Sequence, residues 1–283
     1  MAFVLALLSS ALWGSADFQA GRMSKKYQAL AVLGVTQLIG LAFGIFLIFA
    51  TGEKGAVAFG NDGFFSGFFW PGVFAGVLGY TGLICLYIGL STGRMGVVSP
   101  ISSLGAVVPV MFAVIGGEQL SRGRWIGVVI ALAGAFCASG PEISQGFPLK
   151  PVALAFGAAF GFGTALTLMG IGSDSSALMT MVTMRATTVL FTIASVIRFR
   201  ATGGFKVSDA PSLIFIGVAD FLANFTLGLA TQEGLVSLVM VLGSLYPVFT
   251  VLLAFKLLHE RLHKVQYVGV FLAVAGVAIL SAF

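Results

Sequence analysis

Residues 98–135 read VSPISSLGAVVPVMFAVIGGEQLSRGRWIGVVIALAGA, and residues 236–277 read VSLVMVLGSLYPVFTVLLAFKLLHERLHKVQYVGVFLAVAGV. The two stretches carry the same residues in the same order, first 138 and then 142 positions apart. The matched pairs are Ser99/Ser237, Leu104/Leu242, Gly105/Gly243, Pro109/Pro247, Glu118/Glu260, Leu120/Leu262, Gly127/Gly269 and Gly134/Gly276. The change of four positions equals about one helical turn, which is missing from the first copy. The chain therefore contains an internal repeat, with a weaker match between Trp13-Gly14 and Phe160-Gly161 near the beginning of each half of the chain.

The rest of the chain is strongly apolar. Of its 283 residues, 58% are hydrophobic and 9% are charged, and the mean hydropathy is +1.06. A soluble fold of this size buries at most about three quarters of its surface, so this composition excludes soluble enzymes, nucleic-acid-binding proteins and disordered proteins. The apolar runs are continuous instead of alternating in polarity, which favours helices over a transmembrane barrel. The sequence predicts an all-α integral membrane protein, and its 38 glycines fit helices packed closely in lipid.

The apolar runs predict ten transmembrane helices. We place them at 2–20, 28–51, 65–90, 96–116, 125–140, 152–171, 178–199, 212–232, 235–257 and 265–283. The repeat divides them into two units of five, residues 1–140 and 152–283, joined by a loop at 141–151. Because five is odd, the second unit enters the membrane from the opposite side, and such inverted repeats are typical of secondary transporters. A single site between the units would then open alternately to each side of the membrane.

The repeat also carries a family resemblance. The motifs are ALWGS at 11–15, the segments from Pro109 to Glu118 and from Pro247 to Glu260, ERL at 260–262, and the paired glycines of each copy. In these the chain resembles the EamA branch of the drug/metabolite transporter superfamily. The resemblance implies a carrier of small metabolites, often an exporter of amino acids or related compounds. It also implies a central cavity formed chiefly by helices one, three, four, six, eight and nine.

Ionisable groups within a bilayer are costly, so each one inside a predicted span is a candidate for function. Asp220 lies about 12 Å into the eighth span, and Asn224 follows one turn later on the same face. Both could bind substrate or a proton, or form a structural bond between helices. Arg185, in the seventh span, has three interpretations: snorkelling to the surface, pairing with Asp220, or binding a substrate carboxylate.

The first span contributes further candidates. Ser10, Trp13 and Asp17 share one helical face, which borders the cavity in the family that the chain resembles. Asp17 could line this cavity, or it could be an interfacial carboxylate near Lys25 and Lys26.

Aromatic residues form two stripes at helical spacing. Tyr80 and Tyr87 lie on the third span with Ile84, and Phe160 lies on the sixth with Phe156. Such stripes pack against other helices or line a cavity for apolar side chains, and the tyrosine hydroxyls would then supply hydrogen-bond donors.

The turn at residues 259–263 spells H-E-x-x-H, the pattern of zinc metalloproteases. The equivalent turn of the first copy keeps Glu118 but has no histidine, so the repeat already explains Glu260. Equivalent glutamates also favour a role in turn architecture over gating. We therefore predict no metal, no cofactor and no catalytic residue. A zinc protease using His259, Glu260 and His263, or a channel or scaffold, is the alternative to a transporter.

Charge distribution and resemblance give opposite orientations. Eleven of the 15 Lys and Arg residues fall in connections after spans one, three, five, seven and nine; the exceptions are Lys54, Arg122, Arg124 and the intramembrane Arg185. The positive-inside rule then places both termini outside, whereas the family is commonly drawn with both inside. We follow the charge distribution. The expected location is the inner (cytoplasmic) membrane, with a small-molecule substrate, no nucleic-acid partner and a monomer or homodimer as the assembly.

Overall fold

The computed structural model describes residues 1–53, 55–61, 63, 65–92, 95–140, 149–200, 203–258 and 262–283. Within its helices, the side chains of residues 87, 90–92, 95–97 and 99 fall outside the description. All regular secondary structure in the described ranges is helical. The protein is therefore all-α in the part of the chain that the structure describes, as the continuous apolar runs predicted.

The described ranges form eleven α-helices. They are α1 (Ala2–Ser24), α2 (Ala29–Thr51), α3 (Phe69–Thr92), α4 (Met95–Ser103), α5 (Val107–Ile115), α6 (Arg122–Ala138), α7 (Leu149–Phe199), α8 (Ala210–Glu233), α9 (Val236–Gly243), α10 (Tyr246–Leu258) and α11 (Lys264–Ala282). Two 3-10 turns, Leu104–Ala106 and Val207–Asp209, precede α5 and α8. Six stretches are long and apolar enough to cross a membrane: Ala29–Thr51, Phe69–Leu86, Leu149–Phe199, Val207–Glu233, Val236–Leu258 and Lys264–Ala282.

The helices differ from the ten predicted ones in two ways. The sixth and seventh predicted spans are joined in α7, which is interrupted at Ser176 by extended backbone (φ −165°, ψ 117°). The Ser176 Oγ accepts a hydrogen bond from the Met179 N–H at 3.1 Å and so caps the second part. We call the two parts the first arm (149–175) and the second arm (177–199). The fourth and ninth predicted spans each consist of two shorter helices, α4 with α5 and α9 with α10.

Proline explains the break between α9 and α10. Pro247 has no N–H to donate, and in a continuous helix its ring would clash with the carbonyl of Gly243, four residues earlier. The Ser10 hydroxyl of α1 donates to the carbonyls of Leu242 and Gly243, the latter at 2.9 Å. The carbonyls at the break are thereby satisfied by a side chain from the first repeat, which ties α1 to the broken helix.

Two helices from opposite ends of the chain, α6 and α11, make the same contact twice. A Cβ on Gly134 would lie 2.4 Å from the Ala273 backbone N, and a Cβ on Gly276 would lie 2.6 Å from that of Ala131. Gly127 likewise packs on Leu280, and Gly269 on Ala138. These residues are repeat equivalents, so the interface is self-complementary. Since residue numbers rise along α6 as the contacted numbers fall along α11, the two helices run in opposite directions.

Both chain termini lie at one end of the bundle, which we call the terminal end. A Cβ on Gly234 would lie 2.7 Å from Ala2, and a Cβ on Gly123 would lie 2.5 Å from Phe283. The half of the bundle nearest this end is densely packed, with fully buried side chains that include Met169, Met181, Leu227, Met240 and Leu242. The opposite end, which carries the turn between α1 and α2, we call the hairpin end. The interior is therefore packed toward one end, and the site described next lies toward the other.

Candidate functional site

A cavity of about 370 Å³ lies among α1, α2, α3, α8, both arms of α7 and the breaks after α4 and α9. It begins near mid-helix at Trp13 and Asn224 and extends to Ser24 and Ala29 at the hairpin end. A volume of this size suits a small organic ligand. Both sequence repeats contribute helices to its wall.

A hydrogen-bonded ion pair forms the inner part of the wall. The Arg185 Nη2 lies 2.5 Å from the Asp220 Oδ2, and the Arg185 Nη1 donates to the Gln37 Oε1. The Trp13 Nε1 donates to the Asp220 Oδ1 at 3.1 Å, and the Asn224 Nδ2 donates to the Asp220 carbonyl at 2.7 Å. Arg185 is only 4% exposed. Burying an isolated charge is costly, so this pairing is what allows Arg185 to lie inside the bundle.

Close helix contacts bring these groups together. A Cβ on Gly217 of α8 would lie 2.6 Å from the Thr36 carbonyl of α2, and one on Gly40 would lie 3.1 Å from the Gly217 carbonyl. Small residues let the two backbones approach in this way. As a result Gln37 reaches the ion pair that α8 forms with the second arm of α7.

Asp17 follows Trp13 by about one turn and faces the same cavity. Its side chain is exposed to the cavity, and among the described residues it forms no hydrogen bond or ion pair. Arg185 and Asp220 are paired with each other, so Asp17 is the acidic side chain of the described wall that has no cationic partner.

The cavity reaches the hairpin end beside a second polar cluster. The Tyr27 hydroxyl donates to the Asp209 Oδ2 at 2.5 Å, and the Lys26 Nζ lies 3.7 Å from the Asp209 Oδ1. The hydrogen bond to Asp209 raises the pKa of Tyr27 above its ordinary value. These contacts fix the α1–α2 turn to the beginning of α8, next to the lining residues Ser24 and Ala29.

The first helix of each repeat packs against the broken helix of the other repeat. Ser10 of α1 donates to the Gly243 carbonyl at 2.9 Å, and a Cβ on Gly105, the repeat equivalent of Gly243, would lie 2.9 Å from the Ala159 carbonyl of the first arm. Ser10 is thus matched with Ala159. Trp13-Gly14 therefore corresponds to Phe162-Gly163. The predicted match to Phe160-Gly161 is wrong by two residues, and the shared patterns Gly14-Ser15-Ala16 and Gly163-Thr164-Ala165 could have given the correct register.

This register decides which aromatic residue faces the cavity. Phe162 lines it, whereas Phe160 is 63% exposed and lies away from the wall. The prediction of Phe160 as a cavity residue is wrong for this reason, because two residues correspond to more than half a turn of helix.

A second pair of equivalent contacts fixes the register of the remaining helices. A Cβ on Gly76 of α3 would lie 2.8 Å from the Met184 carbonyl and 2.7 Å from the Thr187 Cβ, both on the second arm. A Cβ on Gly217 of α8 would lie 2.6 Å from the Thr36 carbonyl and 2.8 Å from the Ile39 Cβ, both on α2. The same pattern of contacts thus recurs between α3 and the second arm and between α8 and α2. The positions made equivalent are Gly79 with Asp220, Leu83 with Asn224, and Gln37 with Arg185.

The other predicted candidates have separate surroundings. Tyr80 is buried, shares a hydrogen bond with Ser195 and stacks on Phe191 at 5.6 Å, so it packs α3 against α7. The side chain of Tyr87 lies outside the described residues. Sequence reasoning missed Gln37 and Phe162 as wall residues, although the polar pair Thr36-Gln37 within an apolar span was a usable signal.

Of the two equivalent turns that carry Glu118 and Glu260, the structure describes the one with Glu118. The Glu118 Oε1 accepts from the Ser237 hydroxyl at 2.7 Å, and its Oε2 accepts from the Ser237 backbone N–H at 3.2 Å. Glu118 thus caps the beginning of α9 and joins the repeats at the terminal end. Its counterpart Glu260 lies outside the described residues, as does His259 of the H-E-x-x-H pattern. Where the structure describes the chain, it contains no group of three His, Cys, Asp or Glu residues placed to hold a metal ion.

Comparison with known families agrees with the two-copy arrangement. The model of the EamA-like transporter family matches residues 1–140 and, a second time, residues 149–282. The chain belongs to this family. This EamA-like protein is also similar to a protein known from a crystal structure, with a TM-score of 0.82 and 18% sequence identity over 99% of this chain and 96% of the other. At that identity the likeness concerns the fold alone. No match was found among curated proteins.

Proposed function

We propose that this EamA-like protein is a secondary transporter that moves a small organic molecule by alternating access to the central cavity. The observation that carries the proposal is the cavity itself, which is lined by helices of both repeats and contains the Arg185–Asp220 ion pair near its inner end. Buried ionisable groups in such a position are typical of a substrate pathway. We take amino acids or related compounds as the substrates, as the family resemblance implies.

We infer that units 1–140 and 152–283 are inverted repeats that cross the membrane ten times. The two arms of α7 then count as two crossings, and the pairs α4–α5 and α9–α10 count as one each. The opposite directions of α6 and α11, and their self-complementary contacts, support this arrangement. Because one chain supplies both repeats, a monomer is sufficient for transport, although a homodimer is compatible with it.

The cavity extends to the end that carries most of the positive charge. The positive-inside rule makes this hairpin end cytoplasmic in the inner membrane, with both termini outside. A carrier in this state loads from the cytoplasm, which supports export. Alkaline phosphatase fused after Phe283 is then expected to be active in cells, whereas fluorescence of a cytoplasm-dependent reporter at the same position would contradict this orientation.

Counterflow into proteoliposomes tests the transport proposal. A panel of labelled amino acids is offered to vesicles that are loaded with the same unlabelled compound, and a carrier accelerates exchange. Gly79→Leu is the decisive variant, because a Cβ at Gly79 has ordinary contacts (3.6 Å from Ala165) and the longer side chain would occupy the cavity. Counterflow should be lost in Gly79→Leu and kept in the control Gly21→Leu, since a Cβ at Gly21 has no neighbour within 4 Å. Exchange unaffected by Gly79→Leu, or uptake with no acceleration by internal substrate, would contradict the proposal.

A further inference from the structure

The hydroxyl groups of the cavity wall point to the polarity of its ligand. Five of them donate to carbonyls of their own helices, at 2.7 to 3.1 Å: Thr36, Ser102, Ser103, Thr188 and Ser244. A backbone carbonyl can only accept, so each hydroxyl hydrogen is engaged and each hydroxyl oxygen keeps its lone pairs. These side chains therefore offer the cavity acceptors of hydrogen bonds.

The strongest donors of the wall are engaged as well. The Trp13 indole N–H is bound to Asp220, and Arg185 donates to Gln37 and Asp220. The Arg185 Nε is buried without a partner in the described part of the chain, on the side of Gly40. A ligand carboxylate could take Arg185 only by displacing Asp220, which would leave an unpaired carboxylate in the bundle. Arg185 is thus a poor receptor for an anion, and the donors left to the cavity are chiefly neutral, such as the Tyr246 hydroxyl and the second N–H of Asn224.

The wall carries more acidic than basic side chains, which is the opposite of what an anion-binding site requires. Two carboxylates and one guanidinium line the described cavity, and the carboxylate left over is that of Asp17. Aromatic rings stand next to it, since Trp13 and Tyr246 both line the cavity and contact each other edge-on at 6.2 Å. A cation placed against a carboxylate and the faces of Trp and Tyr is stabilised by both.

The facing wall is apolar. Its side chains come from α2, α3 and the first arm of α7, and they include Leu33, Leu83, Leu86, Phe162 and Leu166. A ligand that fills the cavity must therefore present an apolar body to this wall while its charged end meets Asp17.

We propose that the cavity selects a primary ammonium ion carried on an apolar body, and that Asp17 is the residue that binds the ammonium group. The proposal rests on the transport function and narrows its substrate class. An amino acid is recognised through its ammonium group and side chain, and its carboxylate contributes little. An amine that lacks the carboxylate binds at least as well.

Three probes with one phenyl body separate the possibilities: phenethylamine, L-phenylalanine and 3-phenylpropionate. Calorimetry on the purified full-length protein at neutral pH is expected to give a Kd for phenethylamine about tenfold or more below that for 3-phenylpropionate. Asp17→Asn should weaken phenethylamine about tenfold, Asp17→Glu should recover most of the loss, and the exposed-acid control Glu233→Gln should leave the Kd unchanged.

The contrary outcomes are equally definite. Tighter binding of 3-phenylpropionate, equal binding of phenethylamine to the wild type and Asp17→Asn, or failure of phenethylamine to bind at all would overturn the proposal. Counterflow separates this from the transport function. Asp17-dependent binding without exchange would refute transport and leave ammonium recognition standing, whereas exchange of 3-phenylpropionate in preference to the amine would do the reverse.

Discussion

The two walls of the cavity are equivalent in the repeat and opposite in chemistry. Trp13 and Asp17 on α1 correspond to Phe162 and Leu166 on the first arm of α7, and all four line the cavity. On the next pair of helices, Asp220 corresponds to Gly79. The glycine contacts that position the helices are present in both repeats, whereas the carboxylates occur on one wall only. The repeat thus supplies a symmetric framework, and the asymmetry of a few side chains gives the cavity its charge.

Breaking the ion pair at the inner end of the cavity should have the largest effect. Arg185→Met leaves the Asp220 carboxylate without its cation, and the free energy of unfolding should fall by about 3 kcal/mol. The change at the equivalent position, Gln37→Leu, removes one hydrogen bond and should lower it by about 1 kcal/mol. Denaturation of the detergent-solubilised protein checks both values. The double variant Arg185→Met/Asp220→Leu should recover much of the loss, and equal losses for the two single variants would contradict the role given to the ion pair.

The symmetric framework makes a prediction of intermediate size. Gly134→Ala and Gly276→Ala each place a Cβ within 3 Å of the backbone of the facing helix, and each should destabilise the protein by about 2 kcal/mol. The two losses should be alike because the contacts are equivalent. Gly21→Ala, with open space around it, is the matched control. Thermal unfolding that is affected by only one of the two variants would contradict the self-complementary interface.

The smallest predicted effect separates the two phenylalanines. Phe162→Ala removes part of the apolar wall and should weaken phenethylamine binding by about fivefold, which is near 1 kcal/mol. Phe160→Ala changes an exposed side chain outside the cavity and should leave the Kd unchanged. The same calorimetric titration measures both, and the reverse ranking would restore the register that the sequence first indicated.

The sequence predicted the helical class and the location of nearly every apolar helix, because continuous hydrophobicity and matched prolines and glycines are local signals. It also indicated Asp17, Trp13, Arg185, Asp220 and Asn224, all of which line the cavity, since a polar group in an apolar helix stands out. The sequence left three interpretations of Arg185 open. The structure pairs Arg185 with Asp220, which is one of the three.

The aromatic residues were harder to assign. When every face of a helix is apolar, the side that packs and the side that faces outward have similar compositions, so the rotation of the helix cannot be read from hydrophobicity. This is why Phe160 was chosen and Phe162 was missed. The continuity of α7 across Ser176 was missed for a different reason, because the short polar stretch GSDSS at 172–176 separates two apolar runs and resembles a loop between two helices.

The central claim is that one cavity serves both sides of the membrane in turn, and cysteine labelling from each side tests it most directly. Cys85 and Cys137 are replaced by serine, and Leu166→Cys places a single thiol on the cavity wall near its inner end. In proteoliposomes of known orientation, an impermeant maleimide should label this thiol from the hairpin end at rest. During exchange of a transported amino acid, labelling from the terminal end should appear. Labelling from one end only during exchange, or from both ends at rest, would contradict alternating access.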